Sequence, residues 1–205
     1  MRTTAAVLHD VNKPYSIETV ELDPPKRGEV LVKIGAAGVC RSDLHFAKGE
    51  ATIALPAVLG HEGSGTVEAV GEGVTMVAPG DRVILRFVPG CGHCHSCETG
   101  RSHLCDEHAR TSGKLFDGTS RLHTLARQDL THMGKVAGFA EYALVPEAGW
   151  IRPPAGLKSI AFCSRLEIAW LSRKGSPCTA ACSSSVGTLG KSGEPRVLTG
   201  QQGNI

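Results

Sequence analysis

The stretch "GCGHCHSCETGRSHLC", residues 90–105, carries four cysteines within fifteen positions. Cys91, Cys94 and Cys97 follow a C-x2-C-x2-C spacing, and Cys105 comes eight residues later. Gly90, Gly92 and Gly100 supply turns, so the loop can close around one centre at little entropic cost. Zinc takes four ligands in a tetrahedron with sulfur at about 2.3 Å, which four closely spaced thiolates satisfy. Such a site has no open position, so its role is structural, worth roughly 10–16 kcal/mol of apparent binding energy in small zinc modules. An iron–sulfur electron carrier is the lesser alternative: ferredoxin-type clusters begin the same way but continue x3-C-P, whereas Asp106 follows the fourth cysteine here. A thioredoxin-like pair would want a βαβ setting, which is missing around these residues. His93, His95 and His103 lie inside the run and are expected to face solvent, because four sulfurs already fill the shell.

The chain of 205 residues is 41% hydrophobic and 20% charged, with a formal net charge of +2. These values fit a folded protein with one sizeable core. The basic residues are scattered, so no nucleic-acid or membrane surface is expected. No apolar run approaches the ~20 residues of a membrane span, and the N-terminus lacks a signal-peptide core. The expected compartment is cytoplasmic, where eight cysteines point to metal binding or catalysis before disulfides.

Outward from the cluster, short strand-like pieces dominate: "TTAAVLH", "YSIETVEL", "EVLVKIGAAGV", "GTVEAVG", "PGDRVILRFV" and "GFAEYALVPEAGWI". "VGEGV" reads as a tight hairpin turn, and one short helix fits residues 42–49, with Ser42 as a cap and Asp43 suited to the first turn. The pattern predicts a mainly β fold, a small, partly open β-barrel carrying a zinc-binding lobe. Residues 106–137 lose periodicity and read as a long loop.

"GVCRSDLH" and "LGHEGSG" place Cys40 after an apolar strand and His61–Glu62 between glycines. One thiolate and one imidazole from two strand ends make half of a Cys2His site whose fourth position stays open. Taken alone, a buried cysteine and a hydrogen-bonded histidine account for the pair equally well. The segments "GVCRSDLH", "GHEGSGTVEAVGEGV", "PGDRVIL" and "CGHCHSCETGRSHLC", in this order and spacing, resemble the zinc-dependent medium-chain alcohol dehydrogenases. "DGTSRLH" and "FAEYALV" are similar to the long-loop branch that includes the class I and class III enzymes. The resemblance covers about residues 1–154 and implies a GroES-like catalytic domain, its structural zinc lobe at about residues 90–106. It implies that Cys40 and His61 ligate a catalytic zinc with Glu62 beside it, and that Cys91, Cys94, Cys97 and Cys105 hold a structural zinc. It also implies that Ser42 and His45 relay a proton, that Arg41 contacts the pyrophosphate of NAD or NADP, and that Phe87 walls the pocket for a small alcohol or aldehyde. Family members are dimers or tetramers, so a homo-oligomer is possible.

After "WIRPP" the resemblance stops. The segment 155–205 is rich in Ser, Gly and Thr and is expected to be disordered. A helical period shows at residues 157–171, and Cys163 is the candidate for the third catalytic ligand, ahead of Cys178 and Cys182. "VGTLGKSG" does not match the G-x-G-x-x-G turn of a doubly wound nucleotide-binding domain, so a Rossmann domain is expected to be absent. The abrupt loss reads as a truncated or frame-shifted product, either weakly active or a non-enzymatic zinc module. Purified chain is expected to show little or no turnover of NAD with simple alcohols.

Overall fold

The computed structural model describes residues 1–153 and, beyond them, two strands at Val186–Leu189 and Pro195–Arg196. Strands β1 (Arg2–Leu8) and β2 (Ser16–Leu22) form an antiparallel pair. Alternation along β1 sends Ala5 and Val7 inward. The sheet grows to five strands in the order β7-β2-β1-β4-β8, where β4 is Ala57–Val58, β7 Leu122–His123 and β8 Thr131–His132. The second sheet is built on β3 (Glu29–Gly38), whose apolar run lies between β5 (Glu62–Val70) on one edge and β9 (Tyr142–Pro146) on the other. Beyond β5 come β6 (Arg82–Leu85) and β10 (Trp150–Ile151).

The chain at 139–141 stitches the sheets together. Ala6 N donates to the Phe139 carbonyl at 2.8 Å, and Ile34 N donates to the Glu141 carbonyl at 2.8 Å. The result is the mainly β, barrel-like architecture expected, with Val30, Val32, Val67, Val83 and Val145 packed in one core cluster. Among the described residues there is no doubly wound nucleotide-binding fold, and no helix long and apolar enough to cross a membrane.

Close strand approach explains the glycines at 65 and 71. A Cβ on Gly65 would sit 2.1 Å from the Lys33 carbonyl oxygen, and one on Gly71 would sit 1.7 Å from that of Lys26. Both obstacles are backbone, so neither can turn aside.

Three expectations are corrected. "VGEGV" turns the chain, with Val74 N on the Gly71 carbonyl, but β6 begins only at Arg82, so no tight hairpin forms. The helix is α1 (Arg41–Ala47), capped by Cys40 rather than Ser42, because the Asp43 carboxylate reaches back to the Cys40 N–H. Residues 106–137 are structured: they contain a helix, Asp106–Arg110, and the strands β7 and β8, and they bury Arg121, His132 and Lys135. Beyond residue 153, β11 (Val186–Leu189) pairs antiparallel with Ala37 and Gly38 of β3, and β12 (Pro195–Arg196) pairs with β11. The β9 pairing ends at Lys33, leaving that edge of β3 open for another strand. Residues 157–171, Cys163, Cys178 and Cys182 lie outside the described residues.

The buried loop is held by a polar network. Arg121 grips Glu29 with two bonds, at 2.6 and 3.1 Å, and reaches Asp117 at 2.7 Å. His132 Nε2 accepts from the Arg121 and Leu122 amides at 3.1 and 3.3 Å, so the ring must be neutral at that nitrogen. Burial, then the facing Arg121, pushes the His132 pKa down to about 3.

Two outcomes follow. Gly71→Ala or Gly65→Ala should lower stability by about 1–3 kcal/mol in urea unfolding, through overpacking against backbone. A neutral buried histidine stabilises the fold above the unfolded pKa of 6.5 and loses that contribution as pH falls toward about 3. Stability measured from pH 7 to 4 should therefore decline, and His132→Gln should flatten that decline.

Candidate metal centres

The four-cysteine loop folds as its spacing implies. Cys94 caps the single-turn helix α2 (His95–Glu98), which brings Cys97 back beside Cys91. Cys105 caps α3 (Asp106–Arg110), and its Sγ accepts from the amides of Cys91 at 3.3 Å and His108 at 3.4 Å. The four sulfurs lie within 4.8 Å of one another, Cys91 to Cys97 at 4.0 Å and Cys94 to Cys105 at 3.9 Å. A tetrahedron with arms of about 2.3 Å has edges of about 3.8 Å, so the cage has the size a zinc ion requires. The separations are too long for disulfides, and all four thiols are free. The Asp106 amide lowers the Cys94 pKa to about 7, which favours a thiolate there. His93, His95 and His103 are exposed, as expected.

The second cluster joins three elements. Cys40 lies between β3 and α1, His61 precedes β5, and Glu62 opens β5 opposite Gly38. Their ligand atoms fall within 4.8 Å of one another. His61 is buried, with Nε2 at 3.9 Å from Glu62 Oε1 and its ring 4.5 Å from that of Phe87. Gly38 makes room for the carboxylate, since a Cβ there would lie 2.2 Å from Glu62 Oε2. Gly60 takes φ +84°, and a Cβ would strike the Phe139 ring at 2.5 Å, so glycine alone fits the turn that aims His61.

Asp43 organises this centre, a role its sequence position did not disclose. The side chain is 1% exposed; Oδ2 accepts the Cys40 amide at 2.8 Å and Oδ1 the Gly60 amide at 3.0 Å. Oδ1 also faces His61 Nδ1 at 3.6 Å, longer than a hydrogen bond, and that buried nitrogen has no closer partner. The carboxylate thus fixes the backbone beside both ligands and leaves Nε2 toward the cluster. Burial works to lower the His61 pKa, but Asp43 and Cys40 outweigh it and raise it to about 10. The available signal was the Cys40-to-Asp43 spacing of a capping box, with cysteine standing where serine is usual.

The remaining expected residues sit on α1. Ser42 Oγ lies 3.6 Å from Cys40 Sγ. His45, one turn on, pairs through Nδ1 with Glu50, and Arg41 is exposed at the first helical position. Phe87 is half-exposed against His61.

The model of the alcohol dehydrogenase GroES-like domain matches residues 26–155. The chain belongs to this family. Over 148 residues it is 47% identical to an NDMA-dependent alcohol dehydrogenase of Amycolatopsis methanolica, covering 72% of this chain and 40% of the relative. The crystal structure of an alcohol dehydrogenase zinc-binding domain protein from Burkholderia ambifaria aligns with TM-score 0.74 and 37% identity, over 80% of this chain and 45% of that one. Benzyl alcohol dehydrogenase from Acinetobacter calcoaceticus aligns with TM-score 0.72 and 31% identity, over 80% and 44%. The family member described here spans about 40% of the length of the curated relatives it matches.

Asp43→Ala should release both amides it holds. Hydrogen bonds to a charged group are worth about 1.5–3 kcal/mol each, so the variant should unfold at clearly lower urea concentration. Asp43→Asn should recover part of that loss.

Proposed function

We propose that this chain carries the metal-bearing catalytic part of a zinc-dependent alcohol dehydrogenase, which oxidises alcohols to aldehydes or ketones with NAD or NADP. The observation that carries this reading is the convergence of Cys40, His61 and Glu62 beside a separate four-sulfur cage. The closed cage fits a structural ion, and the three-residue cluster of mixed sulfur, nitrogen and oxygen donors fits a reactive one.

In this reading Cys91, Cys94, Cys97 and Cys105 hold one zinc, and Cys40 and His61 hold the other with Glu62 beside it. The second zinc supplies Lewis acidity, which draws the pKa of a hydroxyl from the ~15.7 of bulk water toward ~7. Asp43 holds the Gly60 turn that precedes His61 and faces its Nδ1, and Phe87 packs against the ring. Ser42 Oγ would take the substrate hydroxyl proton, a role its position next to Cys40 Sγ supports. His45 stands one helical turn away on the same face, able to pass that proton outward because Nδ1 already engages Glu50. Arg41 at the exposed start of α1 suits a coenzyme phosphate contact. The hydride carrier would be held by a nucleotide-binding fold, which is not among the described residues. Soluble, cytoplasmic placement and self-association belong to the same proposal.

Metal analysis tests it directly. The chain should bind two zinc ions, Cys40→Ser should retain one, and Cys94→Ser should lose the lobe ion together with much of its stability. A chain that binds one ion regardless of Cys40 would overturn the catalytic-site reading.

A further inference from the structure

Lys135 is buried to 1% exposure in a 3₁₀ turn, Met133–Lys135, with φ of +60°. Its Nζ donates to the Thr111 carbonyl at 2.8 Å, to Thr111 Oγ1 at 2.7 Å and to the Lys114 carbonyl at 2.8 Å. It also lies 5.0 Å from the centroid of the Phe116 ring. Every ammonium hydrogen is satisfied, yet all of these partners are neutral. An ammonium buried with its hydrogen bonds made but its charge unopposed is costly to keep. The acceptors explain the geometry without explaining the charge.

A cysteine of the cage stands at the other end of α3. Thr111, which Lys135 holds, is the C-cap of that helix, and Cys105 is its N-cap. Cys105 is the one buried cysteine of the cage. Burial draws the Lys135 pKa down to about 8; Cys105 acts in the opposite direction, and of the two charged residues on α3 nearby Arg110 lowers it while Glu107 raises it. Four thiolates around one divalent cation carry a net charge of −2, and a helix of five residues puts that centre on the order of 10 Å from the ammonium. The residue before the lysine faces the wall of the second cluster. A Cβ on the preceding Gly134 would lie 2.6 Å from the Phe87 ring, which packs on His61.

We propose that Lys135 is the countercharge of the four-cysteine centre, offsetting the negative charge of the loaded cage from within the barrel wall. The inference rests on the metal reading of that cage. It makes Lys135 a positioning residue: its charge favours the ion-filled lobe, and its turn seats Gly134 against Phe87.

The test is cobalt(II) titration of the full chain against a competing chelator, read at the thiolate-to-cobalt charge-transfer band of four-sulfur coordination. The unaltered chain should show that band. Lys135→Met should show the same band shape with about tenfold weaker affinity, from a Coulomb interaction at this range under intermediate screening. Lys135→Arg, which keeps the charge, should restore affinity to within about twofold of the unaltered chain. The rise in melting temperature on adding metal should shrink in Lys135→Met and return in Lys135→Arg; a purely packing role would give no such recovery. Should Lys135→Met fail to fold, Lys135→Gln carries the same comparison with a polar, uncharged head. Equal affinity in the uncharged variant, or equal loss in Lys135→Arg, overturns the countercharge while leaving the cage intact. Absence of a thiolate band in the unaltered chain overturns the metal reading and this proposal with it.

Discussion

The Asp43 carboxylate ties together two chain segments at the neighbouring ends of β3 and β5, adjacent strands of one sheet. It accepts the amide of Cys40 at the end of β3 and the amide of Gly60 just before β5, and it faces the ring of His61. A buried carboxylate with two backbone donors is stable only where those donors stay in place. The same group therefore caps α1, fixes the Gly60 turn and sets the separation of the Cys40 sulfur from the His61 imidazole. Whatever chemistry occurs at Cys40 and His61 depends on this anchor before it depends on any ligand.

The four-cysteine lobe supplies the second constraint, and the two are physically continuous. Phe87 lies on the stretch leading from β6 into the lobe, and its ring covers His61 on one side and meets Gly134 on the other. Gly134 precedes Lys135, which grips the end of the helix that Cys105 begins. Closing the cage thus orders the wall of the neighbouring cluster. A domain with short strands and many turns benefits from such a staple, because its loops would otherwise be ordered by few apolar contacts.

The sequence disclosed those features whose physics is local. Four cysteines within one loop can hardly reach anything except each other, so the cage was legible from spacing. The strands were legible from alternation and turn residues, and Gly65 and Gly71 stood at fixed offsets from His61 because backbone crowds them there. The buried charges were not legible. Arg121, His132 and Lys135 occur in a polar stretch that reads as solvated loop, and only tertiary partners such as Glu29 and Thr111 make their burial tolerable. Asp43 was hidden for a related reason: a carboxylate in the first turn of a helix already has a local explanation. The β11 pairing depended on an edge of β3 that only the finished sheet reveals.

The central proposal is that one chain builds two chemically distinct metal centres, one of four sulfurs and one of mixed sulfur, nitrogen and oxygen donors. Cadmium-113 NMR of the fully loaded protein measures that most directly, because the shift reports the number of sulfur ligands. The account predicts two resonances of equal intensity, the less sulfur-rich one vanishing in Cys40→Ser and the other unmoved. A single resonance, or two that both persist in Cys40→Ser, would contradict it.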